Sequence, residues 1–127
     1  MHILGVHHVA IFTRNYETMQ AFYADVVGLP VTRRWDDAGI VFFGAGSVEI
    51  ELTRQDKPGA EQPPLLDEGV GVNHIALSVV DLDQALHDLH KRGVHLAADP
   101  TWYKSIRSAF FSDPDGNIVE LVEQRTG

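Results

Sequence analysis

The sequence of 127 residues contains no cysteine. This absence excludes disulfide bonds and thiolate metal ligands, so imidazole and carboxylate groups would have to hold any metal ion. A chain without disulfides suits a reducing compartment. The first residues, Met1–Gly5, also lack the basic region and the apolar run of a secretory signal. We therefore expect a cytoplasmic protein.

Two further features are missing from the sequence, a long apolar run and an excess of positive charge. No apolar stretch approaches the roughly 18 residues that a transmembrane helix requires. The net charge is −8 at pH 7, so the chain has no basic surplus to replace the counterions of nucleic-acid phosphates. The sequence therefore predicts no membrane partner and no nucleic-acid partner. Its length predicts one globular domain, residues 1–127.

What the sequence does contain is an internal repeat. Each half begins with a histidine, and His8 and His74 are 66 residues apart. Each half ends with a glutamate, and Glu51 and Glu120 are 69 residues apart. Nearly equal offsets indicate two copies of one supersecondary unit. The repeated segments are Gly5–Ile11 with Gly71–Leu77, and Ser47–Leu52 with Gly116–Leu121.

The composition divides the chain into two modules and a linker. We place module one at about residues 1–54, the linker at about 55–70 and module two at about 71–127. The linker holds three of the six prolines, which are Pro58, Pro63 and Pro64. A linker of this length allows the two modules to pair within one chain or across a dimer.

Each module is predicted to run strand, helix and then three strands. In module one, β-branched residues predict the first strand, and Asn15 is the predicted cap of a helix that ends at Gly28. In module two, Asp81 and Gln84 form a capping-box-like pair, and Gly93 ends the helix. The predicted elements of module one are a strand Val6–Thr13, a helix Tyr16–Val27 and strands Val31–Trp35, Ile40–Phe43 and Ser47–Thr53. Those of module two are a strand Val72–Val79, a helix from Leu82, strands His95–Ala98, Ser105–Ser112 and Asn117–Glu123, and a hairpin turn Asp113–Gly116.

The four repeated polar residues form the candidate site. Because side chains alternate along a strand, His8 and His74 share their strand faces with small or apolar residues. Glu51 and Glu120 each point to one face of their own strand. A single histidine in an apolar strand is more often structural than a ligand, but four residues at matched positions are harder to explain in that way. Two buried carboxylates need a countercharge. We therefore predict that these four residues bind a metal cation.

Other residues fit the pattern less well. Glu49 shares a face with Glu51 and is the alternative ligand, but the repeat with Glu120 favours Glu51. His7 aligns with Asn73, which predicts a supporting or surface position.

Several remaining histidines and aromatics have no matched counterpart. His87 and His90 lie at helical spacing on a polar face, where solvent exposure is the expected state. His2 and His95 have no equivalent in the other module. The aromatic residues left open as pocket lining or core are Trp35, Trp102 and Tyr103.

These motifs together resemble the vicinal oxygen chelate superfamily over essentially the whole chain. This superfamily includes glyoxalase I, methylmalonyl-CoA epimerase, fosfomycin and bleomycin resistance proteins, and extradiol dioxygenases. The resemblance implies an α+β fold in which two tandem βαβββ modules form a curved mixed sheet around a metal site. It also implies one divalent metal (nickel, cobalt, manganese, zinc or iron) held by His8, Glu51, His74 and Glu120. The motifs that carry the resemblance are His8–Ile11, Val48–Leu52, Asn73–Val79 and Asp113–Leu121.

Ligand identity separates the branches of that superfamily. Extradiol dioxygenases and fosfomycin transferases resemble the pattern with two histidines and one glutamate, whereas Glu51 fills the fourth place here, as in glyoxalase I. Bleomycin-binding members lack the ligands. Glyoxalase I typically has an arginine where this chain has Phe12 and an asparagine where it has Gln55, and these departures disfavour glutathione.

The expected chemistry is proton movement next to a carbonyl, on a small substrate that binds the metal through vicinal oxygens. Glu120 or Glu51 is the expected base. The predicted class is a metal-dependent isomerase, epimerase or lyase. The alternatives are a non-catalytic small-molecule binding or resistance protein and a metal-dependent dioxygenase. We also expect a homodimer, because two four-stranded modules leave sheet edges to be covered.

Overall fold

A computed structural model describes residues 1–58, 71–96 and 98–124 of the chain. The chain divides into two compact units, Met1–Gln62 and Pro63–Gly127. Each unit carries a four-stranded mixed sheet and a helical segment in the order strand, helix, three strands. The predicted α+β class with tandem βαβββ modules is therefore confirmed. Most of the predicted linker, residues 59–70, lies outside the described residues.

In the first unit the sheet has the order β1-β4-β3-β2, with β1 parallel to β4 and the other neighbours antiparallel. The predicted helix differs in its second half, which is a π-helical turn at Phe22–Val26. Gly28 follows it with a φ of 86°. The elements are β1 His8–Thr13, α1 Tyr16–Ala21, β2 Val31–Trp35, a 3₁₀ turn Asp36–Ala38, β3 Ile40–Ala45 and β4 Val48–Arg54.

The second unit repeats this topology with the order β5-β8-β7-β6, and β5 is parallel to β8. The elements are β5 His74–Ser78, α2 Leu82–Lys91, β6 Thr101–Tyr103, β7 Ile106–Ser112 and β8 Ile118–Gln124.

The predicted strand His95–Ala98 is wrong, because the strand at this place in the module is β6. A two-residue turn joins β6 to β7 and pairs Tyr103 with Ile106. Lys104 in this turn has a φ of 55°. Because the turn fixes the register, β6 lies next to the turn instead of further upstream. Residue 97 lies outside the described part of the chain.

One face of each sheet packs against the helical segment of the same unit. In the first unit, α1 packs against β4. Ile50 and Leu52 of β4 are buried, as are Met19 and Tyr23 of the helical segment. Each large apolar side chain that is buried in this way contributes roughly 1.5–3 kcal/mol. Because successive side chains of a strand alternate, Glu49, Glu51 and Thr53 lie on the opposite face. The corresponding buried residues of the second unit are Leu82, Leu89, Ala109, Phe111, Val119 and Leu121.

The ends of α2 follow the sequence signals in part. The Asp81 carboxylate accepts a hydrogen bond from the backbone N–H of Gln84 at 3.1 Å, as predicted. The Gln84 side chain is directed along the helix, where its amide nitrogen donates to Asp88 Oδ1 at 3.0 Å, instead of back to the N-cap. Gly93 has a φ of 88° and ends the helix as predicted. In the described ranges no helix is long and apolar enough to cross a bilayer.

Candidate functional site

The first candidate pair joins β1 to β4. The parallel register places Ala10 opposite Glu51 and His8 opposite Glu49. With Val9 and Ile11 turned towards the helical side, His8 lies on the other face, and its Nε2 is 3.9 Å from Glu51 Oε1. The Glu51 side chain is only 15% exposed.

The ring of His8 is also contacted at its second nitrogen. His8 Nδ1 lies 2.9 Å from Nδ1 of His7. One of these two nitrogens must donate a proton to the other. When His8 is the donor, its Nε2 keeps a lone pair directed towards Glu51, which is the form that binds a metal. His7 therefore occupies a supporting position beside His8.

The second candidate pair joins β5 to β8 in the same register, with Ala76 opposite Glu120. His74 Nε2 is 3.0 Å from Glu120 Oε1. His74 Nδ1 is 2.8 Å from Asn73 Oδ1. The residue before the histidine thus supplies a polar atom to Nδ1 in both units, although it is a histidine in one and an asparagine in the other.

Each unit by itself therefore supplies one imidazole and one carboxylate. Within residues 1–58, 71–96 and 98–124, no cluster of three or more histidine, aspartate or glutamate side chains is positioned to hold a metal ion. The chemistry of the combined donor set fits a first-row divalent cation, because two imidazole nitrogens and two carboxylates leave coordination positions open for substrate oxygens. The assignment of all four residues to one cation stays a prediction.

Glu49, the alternative ligand, is engaged in another way. Its Oε2 accepts a hydrogen bond of 2.6 Å from Thr32 Oγ1, and its Oε1 accepts one of 3.1 Å from Arg33 Nη2. The Thr32 hydrogen bond and the Arg33 charge lower the pKa of Glu49 below its ordinary value. Ile118 holds the equivalent position in the second unit, since it lies opposite His74. These contacts favour Glu51 as the partner of His8.

The remaining candidate residues are not members of these His–Glu pairs. The ring of His90 packs edge-on against His95, with 5.8 Å between the centroids. Trp35 is 47% exposed, so it is not a core residue. Trp102 and Tyr103 are exposed as well.

Three residues that contact Glu49 and Glu51 were not among the predicted site residues. Thr53 Oγ1 donates to Glu51 Oε2 at 2.7 Å. Thr32 and Arg33 reach Glu49 across β3 because β2 has an irregular register between Val31 and Arg33. The position of Thr53 two residues after Glu51 was a usable signal, whereas the bulge in β2 was not visible in the sequence.

Comparison with known proteins identifies the family. The model of the Glyoxalase/Bleomycin resistance protein/Dioxygenase superfamily matches residues 5–121. Because this match spans most of the chain and the fold has the same tandem modules, the chain belongs to that superfamily.

Its relatives include proteins with and without a described activity. The chain is 35% identical to the uncharacterized protein YaeR of Escherichia coli, with 94% of this chain and 95% of that protein covered. It is 30% identical to a lactoylglutathione lyase of Salmonella typhimurium, with 93% and 91% covered.

Two solved structures show the same fold. A putative glyoxalase family protein from Bacillus anthracis has a TM-score of 0.79 at 23% identity, with 98% of both chains covered. TnmS3, an antibiotic binding protein from Streptomyces sp. CB03234, also has a TM-score of 0.79 at 23% identity, with 98% and 99% covered.

Proposed function

We propose that the protein is a divalent-metal-dependent isomerase, epimerase or lyase of glyoxalase type. Its substrate is a small molecule with vicinal oxygens, and its reaction moves a proton on the carbon next to a carbonyl. The observation that carries this proposal is the pair of His–Glu contacts in identical register, His8 with Glu51 and His74 with Glu120. Similarity to lactoylglutathione lyases supports the reaction class.

The four side chains of these pairs would hold the metal. When bound, a divalent cation supplies the positive charge that stabilises a developing negative charge on the substrate oxygen. His7 and Asn73 hold the rings of His8 and His74 at Nδ1, so that Nε2 is the ligating atom. No thiolate competes, because the chain has no cysteine.

The two glutamates differ in a way that favours one of them as the base. Each glutamate contacts a histidine through Oε1, at 3.9 Å for Glu51 and 3.0 Å for Glu120, and Thr53 Oγ1 also donates to Oε2 of Glu51. The residue two positions after Glu120 is Val122, whose side chain has no donor. A general base needs an oxygen positioned to accept a proton from carbon, and the hydrogen bond from Thr53 engages the second oxygen of Glu51. We therefore assign proton transfer to Glu120 and a mainly ligating role to Glu51.

Metal content tests the first part of the proposal. Protein purified without an affinity tag is reconstituted in turn with nickel, cobalt, manganese, zinc and iron(II), and the bound metal is measured by elemental analysis. We expect one metal per chain, loss of that metal in both His8→Ala and His74→Ala, and no change in the control His87→Ala. If each variant lost only half of two bound metals, the pairs would be independent sites. Absence of metal under all conditions would leave a metal-free binding protein.

Proton exchange tests the second part. Metal-loaded protein is incubated in deuterated water with hemithioacetals, α-hydroxy acids, α-keto acids and acyl-CoA thioesters, and exchange at the α-carbon is followed by NMR. We expect exchange to fall about a thousandfold in Glu120→Gln with metal retained, and much less in Glu51→Gln. Binding of these compounds without exchange would instead support a binding or resistance protein. Consumption of oxygen by the iron form would support a dioxygenase.

A further inference from the structure

Arg33 lies on the face of the first sheet that carries the candidate ligands. Strand pairing aligns Ala10 with Glu51, Glu51 with Phe42 and Phe42 with Arg33. These residues form a cross-strand row on the side away from the helix. Neighbouring strands are about 4.8 Å apart, so the backbone of Arg33 lies roughly 10 Å from that of Glu51.

The guanidinium of Arg33 lies over the ring of Phe42, which belongs to this row. Its Cζ lies 4.0 Å from the centroid of the Phe42 ring and 5.2 Å from that of Trp35. Since Phe42 is the direct neighbour of Glu51, the charged group lies only about one strand spacing from the Glu51 position. The Trp35 and Phe42 rings also pack edge-on, with 5.1 Å between their centroids. This contact fixes the two aromatic rings that lie beside the guanidinium.

Arg33 is held in this position by a second set of contacts. Its Nη2 donates to Glu49 Oε1, and Thr32 Oγ1 donates to the other oxygen of the same carboxylate. The bulge in β2 allows the adjacent residues Thr32 and Arg33 to reach one carboxylate. A cation fixed by a carboxylate and two aromatic faces loses little conformational entropy when it binds a ligand.

The Arg33 guanidinium has N–H donors that the contact with Glu49 does not use. It carries five N–H groups, and its hydrogen bond to Glu49 uses one nitrogen. The Arg33 side chain is 41% exposed. A planar fork of this kind binds a carboxylate through two parallel hydrogen bonds. Because Glu49 already balances its charge, a monoanion fits better than a doubly charged phosphate.

Among the described residues of the second unit, no cationic side chain occupies the equivalent position. Its matching row contains Ala76, Glu120 and Phe110, but β6 begins at Thr101, opposite Ser108, and does not reach this row. Among the described residues of β6, none is cationic. The repeated units thus share the histidine, the glutamate and the phenylalanine, and differ in the arginine.

We infer that Arg33 is a specificity-determining residue that binds a carboxylate of the substrate, on the same sheet face as the candidate ligand Glu51. The inference rests on the proposed function, since Glu51 marks the chelating end of the substrate. The substrate is accordingly a short organic acid whose carbon skeleton carries the vicinal oxygens at one end and a separate carboxylate at the other. Trp35 forms the apolar wall beside that carboxylate.

Calorimetric titration with two matched acids tests this inference. The probes are 2-oxoglutarate and 2-oxopentanoate, which share the α-keto acid group and differ in the terminal carboxylate. We expect the metal-loaded protein to bind 2-oxoglutarate about tenfold more tightly or better. Arg33→Gln should reduce this preference to less than about twofold with metal content unchanged, and Arg33→Lys should keep part of it.

Arg34→Gln is the matched control. Arg34 is the next residue of the same strand, pairs with the buried Val41 and binds Asp36, so it lies on the other face. This variant removes the same charge and should leave the preference intact. Equal binding of the two acids by the wild type, no binding of either, or an unchanged preference in Arg33→Gln would each overturn the inference.

These outcomes are separable from failure of the proposed function. Loss of metal binding or of proton exchange contradicts the proposed function, whereas normal metal content with no Arg33-dependent preference contradicts only the role of Arg33. A phosphonate analogue that binds more tightly than 2-oxoglutarate would contradict the choice of a carboxylate. Circular dichroism of Arg33→Gln and Arg33→Lys confirms that both variants are folded.

Discussion

At the scale of single residues, the repeat in the sequence predicted that each module contributes one histidine and one glutamate to the candidate site. His8 lies beside Glu51 and His74 beside Glu120 because strand alternation and the parallel register act in the same way in both units. The contacts of Arg33 could not be predicted, because they depend on a bulge that changes the direction of one side chain. A local irregularity of this kind leaves no periodic signal.

Tyr16 supports a prediction about stability. Its hydroxyl oxygen is buried and has no hydrogen-bond partner among the described residues, and Arg54 lies over its ring at 4.9 Å. Tyr16→Phe removes the unsatisfied hydroxyl and keeps the ring, so we expect the free energy of unfolding at pH 7 to rise by up to about 1 kcal/mol. Urea denaturation measures this change. Tyr103→Phe, at an exposed position, is the control.

The same residue gives a dependence on pH. Burial raises the pKa of Tyr16 above the ordinary value of 10.0. The unfolded chain therefore releases the Tyr16 proton at lower pH than the folded chain. The free energy of unfolding consequently does not depend on this group below pH 10, and it decreases as the pH rises above 10. Denaturation curves at pH 9 and pH 11 should show a smaller loss of stability in Tyr16→Phe than in the wild type. An equal loss would contradict the effect of burial.

At the scale of elements, the positions of the helices and the longer strands could be predicted from the sequence pattern. The position of the short strand β6 could not. β2 and β7 lie close to their predicted positions because turn residues mark the chain around them. The three residues of β6 are placed by the turn at Lys104, and a strand this short has too little pattern to be recognised. The π-helical turn after α1 was likewise not visible, since its apolar spacing is that of an ordinary helix.

The end of α2 supports a prediction at this scale. Gly93 donates to the carbonyl of His90 at 3.1 Å, and Val94 donates to that of Leu89 at 2.9 Å. This pattern requires a left-handed residue at Gly93. Gly93→Ala should lower the free energy of unfolding by about 1 kcal/mol, and Gly93→Asn should lower it less, because asparagine adopts this conformation more readily. Urea denaturation of both variants tests the order, and equal losses would argue against strain as the cause.

At the scale of the whole molecule, the two units carry equivalent halves of the candidate site. The repeat predicted this equivalence, whereas the association of the halves depends on contacts that a repeat does not specify. Each sheet, taken by itself, ends in two edge strands, β1 and β2 in the first unit and β5 and β6 in the second. Exposed edges are usually paired or covered. We therefore propose that two copies of the chain associate.

Light scattering at micromolar concentration tests the association. We expect a mass of twice the chain mass of 14.1 kDa, with dissociation only on strong dilution. A constant monomer mass at high micromolar concentration would contradict it. Mixing His8→Ala with His74→Ala then identifies the source of the ligands, since recovery of metal on mixing requires that two chains contribute to one site.

The matched register has a consequence for how such a protein diversifies. A duplicated module starts with two interchangeable halves, and every later substitution acts on one half while the other preserves the scaffold. Under the proposed assignment, Thr53 and Val122 distinguish the two carboxylates, and Arg33 marks one half for recognition. A few side chains at equivalent positions can thus take separate roles as metal ligand, as base and in substrate recognition. The backbone of either module need not change for this to happen.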